Sequence, residues 1–566
     1  MNYKDEYRSW LNNEYMNKET HRELKAISEE EEEIRDRFYQ RMAFGTAGLR
    51  GKLGAGTNRM NLYTVAEATE GFARMIDQKG PQARRRGVAI GYDVRHQSME
   101  FAKLAAEVFA AHDIHVFLHP DICPTPLLSY TVRKLHTFAG VMITASHNPK
   151  EYNGYKAYND DGSQILDDWA DEIEKNIGEV TSYFSIPRLS FDIALENKRV
   201  EYVPASLLES YYQDVLSLTI HDDKNTLDRS ISCVYSPLNG CGNKPVRHIL
   251  KERGFHEIHV VPEQENPDPD FTTVGYPNPE DPKAFHLAEK LGEKLGAELL
   301  FATDPDSDRC ALEVRNQEGS YVFLNGNQIG ALLGHYILSQ LSAQGKLPPH
   351  PAVIKSIVTG DMLLAEAQEF GAKGFEVLTG FKNIAGLVNR WDKTGEYSYV
   401  YGFEESIGYN ASTFVRDKDA VSSAMLIMEM AAFYKKKGMS LLDALEALYQ
   451  HYGSYSEKLF SFVLEGQEGK ERIGRIMEAF RKNPIEQIQE KRLLKAIDYE
   501  QEETGLPRSN VLKYQYEGDF WFAVRPSGTE PKIKLYLYAR GANKKESQEK
   551  LLAMEKAAKK RMESVN

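Results

Sequence analysis

A short apolar run leads directly into a polar loop in the stretch Gly140-Val-Met-Ile-Thr-Ala-Ser-His-Asn-Pro149. The apolar part is typical of a buried strand, and the loop begins where that strand ends. Active sites of open α/β sheets lie beyond the carboxyl ends of strands, so Ser146 is well placed to react. A polar turn with Asn-Pro as its signal is the competing interpretation. The loop lacks the GxSxG elbow of α/β-hydrolases, so hydrolase chemistry is not supported.

Comparable apolar runs recur along the chain and alternate with longer stretches of helical periodicity. This alternation predicts α/β domains with largely parallel sheets. The 566 residues correspond to about four domains. The C-terminal part differs, because predicted strands 519–524 and 532–538 are joined by a short loop and followed by a helix from about Lys544, which indicates an α+β unit. The other predicted elements are strands 88–92, 114–118, 140–144, 231–235, 258–261, 299–302, 353–357 and 397–401, and helices 98–111 and 283–295.

A second polar loop, Asp304-Pro-Asp-Ser-Asp-Arg309, follows predicted strand 299–302. Three carboxylates at alternate positions repel one another, and a hard divalent cation such as Mg²⁺ or Ca²⁺ offsets that repulsion. An EF-hand is excluded, because Arg309 stands where its loop requires glycine. A solvated acidic loop is the alternative. Three protein ligands leave coordination positions for a phosphate oxygen.

A third loop, Gly402-Phe-Glu-Glu-Ser-Ile-Gly408, follows predicted strand 397–401. Adjacent carboxylates and a hydroxyl suit the vicinal hydroxyls of a sugar ring. The competing interpretation is a capped helix start.

A fourth loop, Arg525-Pro-Ser-Gly-Thr-Glu530, is followed by Lys532 and Lys534. Hydroxyls, amides freed by glycine and flanking cations predict a phosphate-binding loop, with a tight turn between strands as the alternative. The glycine-containing stretch Gly240-Cys-Gly-Asn-Lys244 lacks the GxxxxGK[ST] spacing, so we interpret it as a structural βα turn.

The composition excludes several classes of protein. The formal net charge is −13, so affinity for nucleic acid or an anionic membrane surface is not expected. The N-terminus is charged where a signal peptide needs an apolar stretch, and no apolar run is long enough to span a bilayer. The cysteines form neither a CxxC pair nor a zinc spacing, which fits a reducing compartment; they are Cys123, Cys233, Cys241 and Cys310. We expect a cytoplasmic protein without nucleic-acid or membrane partners.

Taken in series, these loops resemble one known family. A TASHNP serine loop, then DPDSDR, a GEES-like loop and RPSGTEP is the signature of the α-D-phosphohexomutases, and residues 45–51 (GTAGLRG) extend the match. The long N-terminus, Phe403 and residues 416–419 resemble most closely the phosphoglucomutase/phosphopentomutase branch. The resemblance implies four domains around a central cleft: three α/β domains with mixed sheets and a C-terminal α+β domain. Expected domains are 1–210 (phosphoserine), 211–325 (metal-binding loop), 326–455 (sugar recognition) and 456–566 (phosphate binding).

The resemblance also implies roles for individual residues. Ser146 matches the phosphoserine, and its phosphate would bind one Mg²⁺ per chain together with three aspartates. The general base stays open among Lys156, Arg50 and His147. The metal-binding aspartates are Asp304, Asp306 and Asp308; Arg309 joins the residues around the reacting phosphoryl group; Glu404 and Ser406 match the sugar loop; Arg525, Ser527, Gly528 and Thr529 match the loop for the non-reacting phosphate; and Lys382 and Lys418 fall in other substrate-binding loops.

The resemblance implies the activity of phosphoglucomutase, an isomerase of glucose metabolism. This reaction interconverts glucose 1-phosphate and glucose 6-phosphate, and glucose 1,6-bisphosphate is both its intermediate and its activator. Alternatives are phosphopentomutase, phosphomannomutase, a Mg²⁺-dependent phosphatase and a non-catalytic sugar-phosphate binder. Two departures from the family pattern affect recognition: Phe403 replaces the usual glycine, and lysines follow the phosphate loop where arginine is frequent. A monomer is expected, with a dimer as the alternative. Closure of the last domain is expected to exclude water.

Overall fold

The computed structural model describes residues 2–464, 466–501, 504–527 and 532–565. Within these ranges the chain forms two compact units. The first unit comprises residues 2–326, 385–401 and 406–436, and the second comprises 327–384, 402–405 and 437–565. The four domain boundaries expected from the sequence stay a prediction.

The described part of the chain contains helices and strands in alternation over most of its length. The helices are α1 Tyr3–Leu11, α2 Lys18–Ala26, α3 Glu31–Phe38, α4 Leu62–Gln78, α5 Pro81–Arg86, α6 Ser98–Ala111, α7 Thr125–Leu135, α8 Asp167–Gly178, α9 Phe191–Glu196, α10 Ala205–Leu216, α11 Asn243–Glu252, α12 Pro262–Glu265, α13 His286–Leu295, α14 Gly326–Ala343, α15 Met362–Glu369, α16 Phe381–Thr394, α17 Ala420–Lys436, α18 Leu441–Tyr452, α19 Gly466–Lys482 and α20 Lys544–Glu563, with a 3₁₀ turn at Pro282–Phe285. The strands are β1 Leu49–Lys52, β2 Val88–Tyr92, β3 Val116–Leu118, β4 Ala139–Ile143, β5 Tyr152–Tyr158, β6 Val200–Tyr202, β7 Cys233–Ser236, β8 Ile258–Val260, β9 Leu299–Thr303, β10 Cys310–Arg315, β11 Tyr321–Leu324, β12 Pro351–Ser356, β13 Lys373–Val377, β14 Ser398–Glu404, β15 Gly408–Asn410, β16 Ser454–Val463, β17 Gln487–Ile488, β18 Lys491–Asp498, β19 Leu512–Tyr516, β20 Phe520–Pro526 and β21 Lys532–Gly541. Every strand predicted from the sequence is present, with ends within three residues of the prediction. None of the described helices is both long and apolar enough to cross a membrane.

The first unit contains a six-stranded sheet of order β1-β5-β4-β2-β3-β6. Strands β4, β2, β3 and β6 are parallel, whereas β5 returns antiparallel to β4 and β1 is antiparallel to β5. The sheet is therefore mixed, as the resemblance implied, and it differs from a wholly parallel sheet at the edge formed by β5 and β1. The difference arises because the chain turns back directly after β4, so that residues 144–151, the serine loop, connect a hairpin.

A second sheet of the first unit has the order β11-β10-β9-β7-β8. Strands β7, β8 and β9 are parallel, and β10 again returns antiparallel to β9, with Thr303 opposite Cys310. Residues 304–309, the aspartate loop, connect this hairpin. Both loops predicted to carry chemistry therefore lie at the carboxyl ends of parallel strands.

A glycine fixes the edge strand β1 against β5. Gly48 has a φ of 72°, and a Cβ there would lie 1.8 Å from the carbonyl oxygen of Tyr155. Any side chain would therefore separate the two strands. In the resulting register Arg50 pairs with Gly154, which brings Arg50 beside the strand that follows the serine loop.

The second unit contains the parallel pair β12 and β13 and a C-terminal antiparallel sheet of order β16-β21-β20-β19-β18-β17. Apolar residues of α19 and α20 and of this sheet form one core, which includes Phe480, Phe522 and Met554. The α+β character predicted for the C-terminal part is confirmed, and α20 begins at the predicted residue, Lys544.

Candidate active site

Ser146 lies at the start of the serine loop and is buried, with 3% of its surface exposed. Its backbone has a φ of 51°, in the left-handed region, and its amide N–H donates to Thr144 Oγ1 at 2.8 Å. The hydroxyl donates to Asp304 Oδ2 at 2.8 Å and lies 3.2 Å from His147 Nδ1. The fold therefore brings the serine of one hairpin loop to the first aspartate of the other.

The three aspartates of the aspartate loop form a candidate metal site. Asp304, Asp306 and Asp308 are buried, and each offers an oxygen within 4.8 Å of the others. Asp304 Oδ1 accepts the amide N–H groups of Asp308 at 3.1 Å and Arg309 at 3.0 Å, which folds the loop around that carboxylate. Burial and the two neighbouring carboxylates raise the pKa of Asp304 well above its usual range. Among the residues that the structure describes, Asp306 Oδ1 and Asp308 Oδ1 have no hydrogen-bond partner.

Lys156 reaches these carboxylates from β5. Its Nζ lies 2.8 Å from Asp306 Oδ2 and 3.5 Å from Asp308 Oδ2. Burial opposes the charge of Lys156, but the two carboxylates outweigh burial and raise its pKa, so the ammonium stays protonated. Burial likewise opposes ionisation of Asp306, yet Lys156 and a hydrogen bond from Thr125 Oγ1 at 2.8 Å keep the pKa of Asp306 below its usual range.

Lys418 is a second cation at the aspartates. Its Nζ lies 3.2 Å from Asp308 Oδ2 and 3.1 Å from Asp417 Oδ1. Asp417 also accepts the hydroxyl of Tyr158 at 2.8 Å. A Cβ on Gly408 would lie 2.1 Å from Lys418 Cδ, so a glycine is required for the lysine to reach the loop. The structure thus brings Lys418, whose role the sequence left open, to the candidate metal site.

Three further residues predicted for the reacting phosphoryl group lie in the first unit. Arg50 Nη1 donates to Asn148 Oδ1 of the serine loop at 3.2 Å. Arg309 Nη1 lies 3.3 Å from Glu280 Oε2. Burial, together with nearby Arg309 and Arg50, lowers the pKa of His147 well below its usual range, so its imidazole is neutral.

The predicted sugar loop is a strand followed by a turn. Strand β14 continues to Glu404, and Ser406 lies in the turn before β15, so the competing interpretation as a helix start is wrong. Glu404 lies in the second unit, where its Oε1 accepts the amide N–H of Gly380 at 2.6 Å. Gly380 adjoins α16, whose first turn contains Lys382, whereas Ser406 belongs to the first unit.

The neighbouring Glu405 is fixed by two hydroxyls of the second unit. Its Oε2 accepts from Thr359 Oγ1 at 2.9 Å and from Ser356 Oγ at 3.2 Å. Its own amide N–H donates to Thr359 Oγ1 at 3.2 Å. The segment after β12 therefore determines the shape of the sugar loop.

The predicted phosphate loop connects β20 and β21. Arg525 stands opposite Lys534 in this antiparallel pair, and the amide N–H of Ser527 donates to the carbonyl of Lys532 at 2.8 Å. Gly528 and Thr529 lie outside the described residues. The phosphate-binding role of this loop therefore stays a prediction.

The sequence did not predict the residues that hydrogen-bond the backbone of the serine loop and of the aspartate loop. Arg95 donates to four carbonyl oxygens between Ser146 and Tyr152. The four acceptors of Arg95 are main-chain carbonyls, which every residue type has, so no sequence pattern predicts these hydrogen bonds. The available signal was a pair of charges, Asp93 and Arg95, directly after a predicted strand end.

The turn interpreted as structural also supports the aspartate loop. It joins β7 to α11, as predicted. The amide N–H of Cys241 donates to the carbonyl of Pro305 at 2.8 Å, and Gly240 packs against the backbone of the same proline.

Comparisons with known proteins agree with this arrangement. Models of the phosphoglucomutase/phosphomannomutase family match α/β/α domain I at residues 41–184, domain II at 209–318 and domain III at 325–452. The chain belongs to this family, the α-D-phosphohexomutases. The three matched regions contain the serine loop, the aspartate loop and the sugar loop of this phosphohexomutase.

Individual relatives support the same assignment. The chain is 38% identical over 536 residues to a phosphoglucomutase of Staphylococcus aureus (strain bovine RF122 / ET3-1), covering 92% of this chain and 94% of the relative. Its fold is similar to that of pp63/parafusin, a phosphoglucomutase from Paramecium, with a TM-score of 0.68, 16% identity and coverage of 93% and 96%. It is also similar to an Aspergillus fumigatus N-acetylphosphoglucosamine mutase solved with GlcNAc-6P and magnesium, with a TM-score of 0.52, 13% identity and coverage of 95% and 98%. The phosphohexomutase fold is therefore established along nearly the whole chain.

Proposed function

We propose that this phosphohexomutase is a phosphoglucomutase that interconverts glucose 1-phosphate and glucose 6-phosphate by way of a phosphoserine at Ser146. The observation that carries the proposal is the 2.8 Å hydrogen bond from Ser146 Oγ to Asp304 Oδ2, beside two more buried carboxylates. A phosphoryl group on this oxygen would lie among metal ligands and two lysines. The preference for glucose rests on the S. aureus relative, which is named a phosphoglucomutase.

In the proposed cycle the 6-hydroxyl of glucose 1-phosphate attacks the phosphorus of phospho-Ser146. The bond from phosphorus to Oγ breaks, the proton of the sugar hydroxyl passes to a base, and one proton is delivered to Oγ so that the serine hydroxyl forms. The resulting glucose 1,6-bisphosphate turns over, and Ser146 Oγ gives up its proton and attacks the phosphorus of the 1-phosphate. The bond from that phosphorus to O1 breaks, O1 takes the proton, and glucose 6-phosphate leaves with the phosphoserine restored.

Lys156 and His147 have separate roles in this cycle. Lys156 is paired with two carboxylates and keeps its proton, so it offers positive charge to the phosphoryl oxygens in the transition state. His147 Nδ1 lies 3.2 Å from Ser146 Oγ, so it is within reach of the proton of the serine hydroxyl when Oγ leaves and when it attacks. Arginine keeps its proton over the whole working pH range, which makes Arg50 an anion ligand rather than the base.

The aspartate loop fits Mg²⁺. Two of its buried carboxylate oxygens have no hydrogen-bond partner among the described residues, and an oxygen-only donor set suits a hard cation. Asp304, Asp306 and Asp308 would hold the ion together with the phosphate of Ser146. When bound, Mg²⁺ supplies positive charge that stabilises the negative charge on the phosphoryl oxygens.

Further residues are proposed to contact the sugar and the second phosphate. Glu404 is the proposed ligand of the sugar hydroxyls, with Ser406 and Lys382 nearby in sequence or in the adjoining helix. Arg525, Ser527, Gly528 and Thr529 are proposed to bind the phosphate that does not react. Separate sugar and phosphate ligands suit an intermediate that must be bound in two orientations.

The decisive experiment measures conversion of glucose 1-phosphate with Mg²⁺ and a trace of glucose 1,6-bisphosphate. Wild type should be active, and Ser146→Ala should lose several orders of magnitude in kcat with an unchanged melting temperature. After incubation with the bisphosphate, mass spectrometry should detect one added phosphoryl group on wild type and none on Ser146→Ala. Full activity of Ser146→Ala would disprove the phosphoserine. Activity on ribose 1-phosphate or mannose 1-phosphate alone would mean that the substrate is that sugar phosphate and not glucose 1-phosphate. Net release of phosphate would indicate a phosphatase.

A further inference from the structure

A buried arginine that touches no reacting atom lies behind the serine loop. The side chain of Arg95 has no exposed surface. Its Nη1 donates to the carbonyl oxygens of Pro149 at 2.9 Å and Tyr152 at 3.1 Å. Its Nη2 donates to those of Ser146 at 2.5 Å and Asn148. One guanidinium therefore binds four carbonyl oxygens in a segment of seven residues.

Arg95 also contacts residues outside the segment whose carbonyls it binds. Asp93, also fully buried, lies 3.3 Å from Arg95 Nε and accepts the Arg95 amide N–H at 3.0 Å. The same carboxylate accepts the hydroxyl of Ser98 at 2.8 Å, and the ring of Phe271 lies 5.1 Å from the guanidinium. Burial lowers the pKa of Arg95 and raises that of Asp93, and the ion pair opposes both shifts. Asp93 and Phe271 thus contact the guanidinium in addition to the four carbonyl groups.

The serine loop needs such a partner for two physical reasons. Ser146 has a φ of 51°, a conformation that is unfavourable for a residue with a Cβ and persists only where the surroundings enforce it. Buried carbonyl groups also destabilise the fold when they have no hydrogen-bond donor. Arg95 provides four N–H donors to these carbonyls and one of its contacts is to Ser146 itself.

We propose that Arg95 is a positioning residue that aims Ser146 Oγ at the aspartate loop. The proposal rests on the proposed function, because it takes Ser146 as the phosphoryl carrier. The hydrogen bonds of Arg95 to the serine loop all go to main-chain carbonyls, so its loss displaces the serine without removing a ligand of the sugar or of the distal phosphate. The effect is therefore expected in kcat and not in KM.

Arg95→Lys is the informative variant, because lysine keeps the charge but cannot bind four acceptors in a plane. Arg253 provides the matched control. It is an equally buried arginine, with 5% of its side chain exposed, and it lies 2.7 Å from both Glu429 and Asp222, away from the two loops. Arg253→Lys reports the cost of replacing a buried, paired arginine as such.

For Arg95→Lys we expect kcat to fall about 100-fold, the usual cost of a displacement of about 1 Å at a reacting group. KM for glucose 1-phosphate should stay within about threefold of wild type. Hydrogen exchange of the peptide that contains Ser146 should accelerate about tenfold or more. Arg253→Lys should lower the melting temperature to a similar extent and leave kcat, KM and that peptide unchanged.

Wild-type kcat in folded Arg95→Lys, or wild-type exchange in the serine loop, would overturn the proposal. So would an equal fall of kcat in Arg253→Lys, since the effect would then be general destabilisation. If Arg95→Lys does not fold, Asp93→Asn gives the same test with unchanged side-chain size, and an unchanged kcat would count against the proposal. Wild type inactive on every sugar phosphate would disprove the proposed function, whereas the exchange experiment would still decide the positioning role.

Discussion

Replacing Gly240 by alanine tests whether the turn after β7 determines the geometry of the aspartate loop. A Cβ on Gly240 would lie 2.5 Å from the Cα and 2.6 Å from the carbonyl oxygen of Pro305. Both are backbone atoms between Asp304 and Asp306, so no side-chain rotation relieves the contact. The two backbones must separate.

The size of the effect follows from these distances. Ordinary contact begins at 3.4 Å, so the aspartate loop must move by roughly 0.9 Å or the turn must yield by the same amount. Overpacking of this kind costs about 1–3 kcal/mol of folding free energy. A displacement of about 1 Å at a reacting group lowers the rate about 100-fold. We therefore expect kcat to fall about 100-fold, and the Mg²⁺ concentration for half-maximal activity to rise about tenfold.

The assay is conversion of glucose 1-phosphate as a function of Mg²⁺, together with chemical denaturation of each variant. Gly178→Ala is the control, because Gly178 ends α8 and a Cβ there meets nothing within 4 Å. It should retain wild-type activity and gain a little stability from the better helix propensity of alanine. If folded Gly240→Ala keeps wild-type kcat and Mg²⁺ dependence, the close approach to Pro305 does not position the carboxylates.

Three other predictions concern pH, the sugar loop and the metal. Burial raises the pKa of the Glu67 carboxyl to about 7 from a usual value of 4.5, so the folded protein binds this proton more tightly than the unfolded chain does. The resulting contribution to the free energy of unfolding is about 3 kcal/mol below about pH 4.5 and is lost as the pH rises through 7. Chemical denaturation from pH 5 to 8 should show this loss in wild type and not in Glu67→Gln. Thr359→Val removes the two hydrogen bonds between Thr359 and Glu405, leaves the one from Ser356, and should lower kcat/KM for glucose 1-phosphate about tenfold. An unchanged value would mean that Thr359 does not shape the sugar loop through Glu405. Chelation should abolish activity until Mg²⁺ returns, and Mg²⁺ at about 100 times its Kd should stabilise the phosphorylated protein by about 2.7 kcal/mol in thermal melts, an effect that Asp308→Asn should weaken.

The elements that could be predicted from the sequence are those whose hydropathy pattern directly reflects burial. Strand β9 was predicted as 299–302 and is Leu299–Thr303, because an uninterrupted apolar run passes abruptly into charged residues. The same contrast identified Ser146 and the three aspartates, since each group directly follows such a run. The resemblance that spans four loops predicted the family, which the family models confirm.

The return strands β5 and β10 could not be predicted in this way. Strand β5 is buried along nearly its whole length, yet it contains the polar residues Asn153 and Lys156. Asn153 donates to the carbonyl of His96 and to Ser98 Oγ at 3.0 Å each, and Lys156 pairs with carboxylates of another sheet. Their burial depends on partners far away in sequence, so the period-two signal of a strand is hidden.

The Mg²⁺ prediction follows from the charges that the two hairpin loops bring together. Asp304, Asp306 and Asp308 face Lys156 and Lys418, and Lys418 also pairs with Asp417. Four carboxylates thus share two lysines, and a phosphate on Ser146 would add nearly two more negative charges within reach of Asp304. Phosphorylation should therefore strengthen Mg²⁺ binding, and by reciprocity Mg²⁺ should favour the phosphorylated serine by the same factor. Equal Mg²⁺ affinity of the phosphorylated protein and of Ser146→Ala would show instead that the arginines and lysines already balance the phosphate.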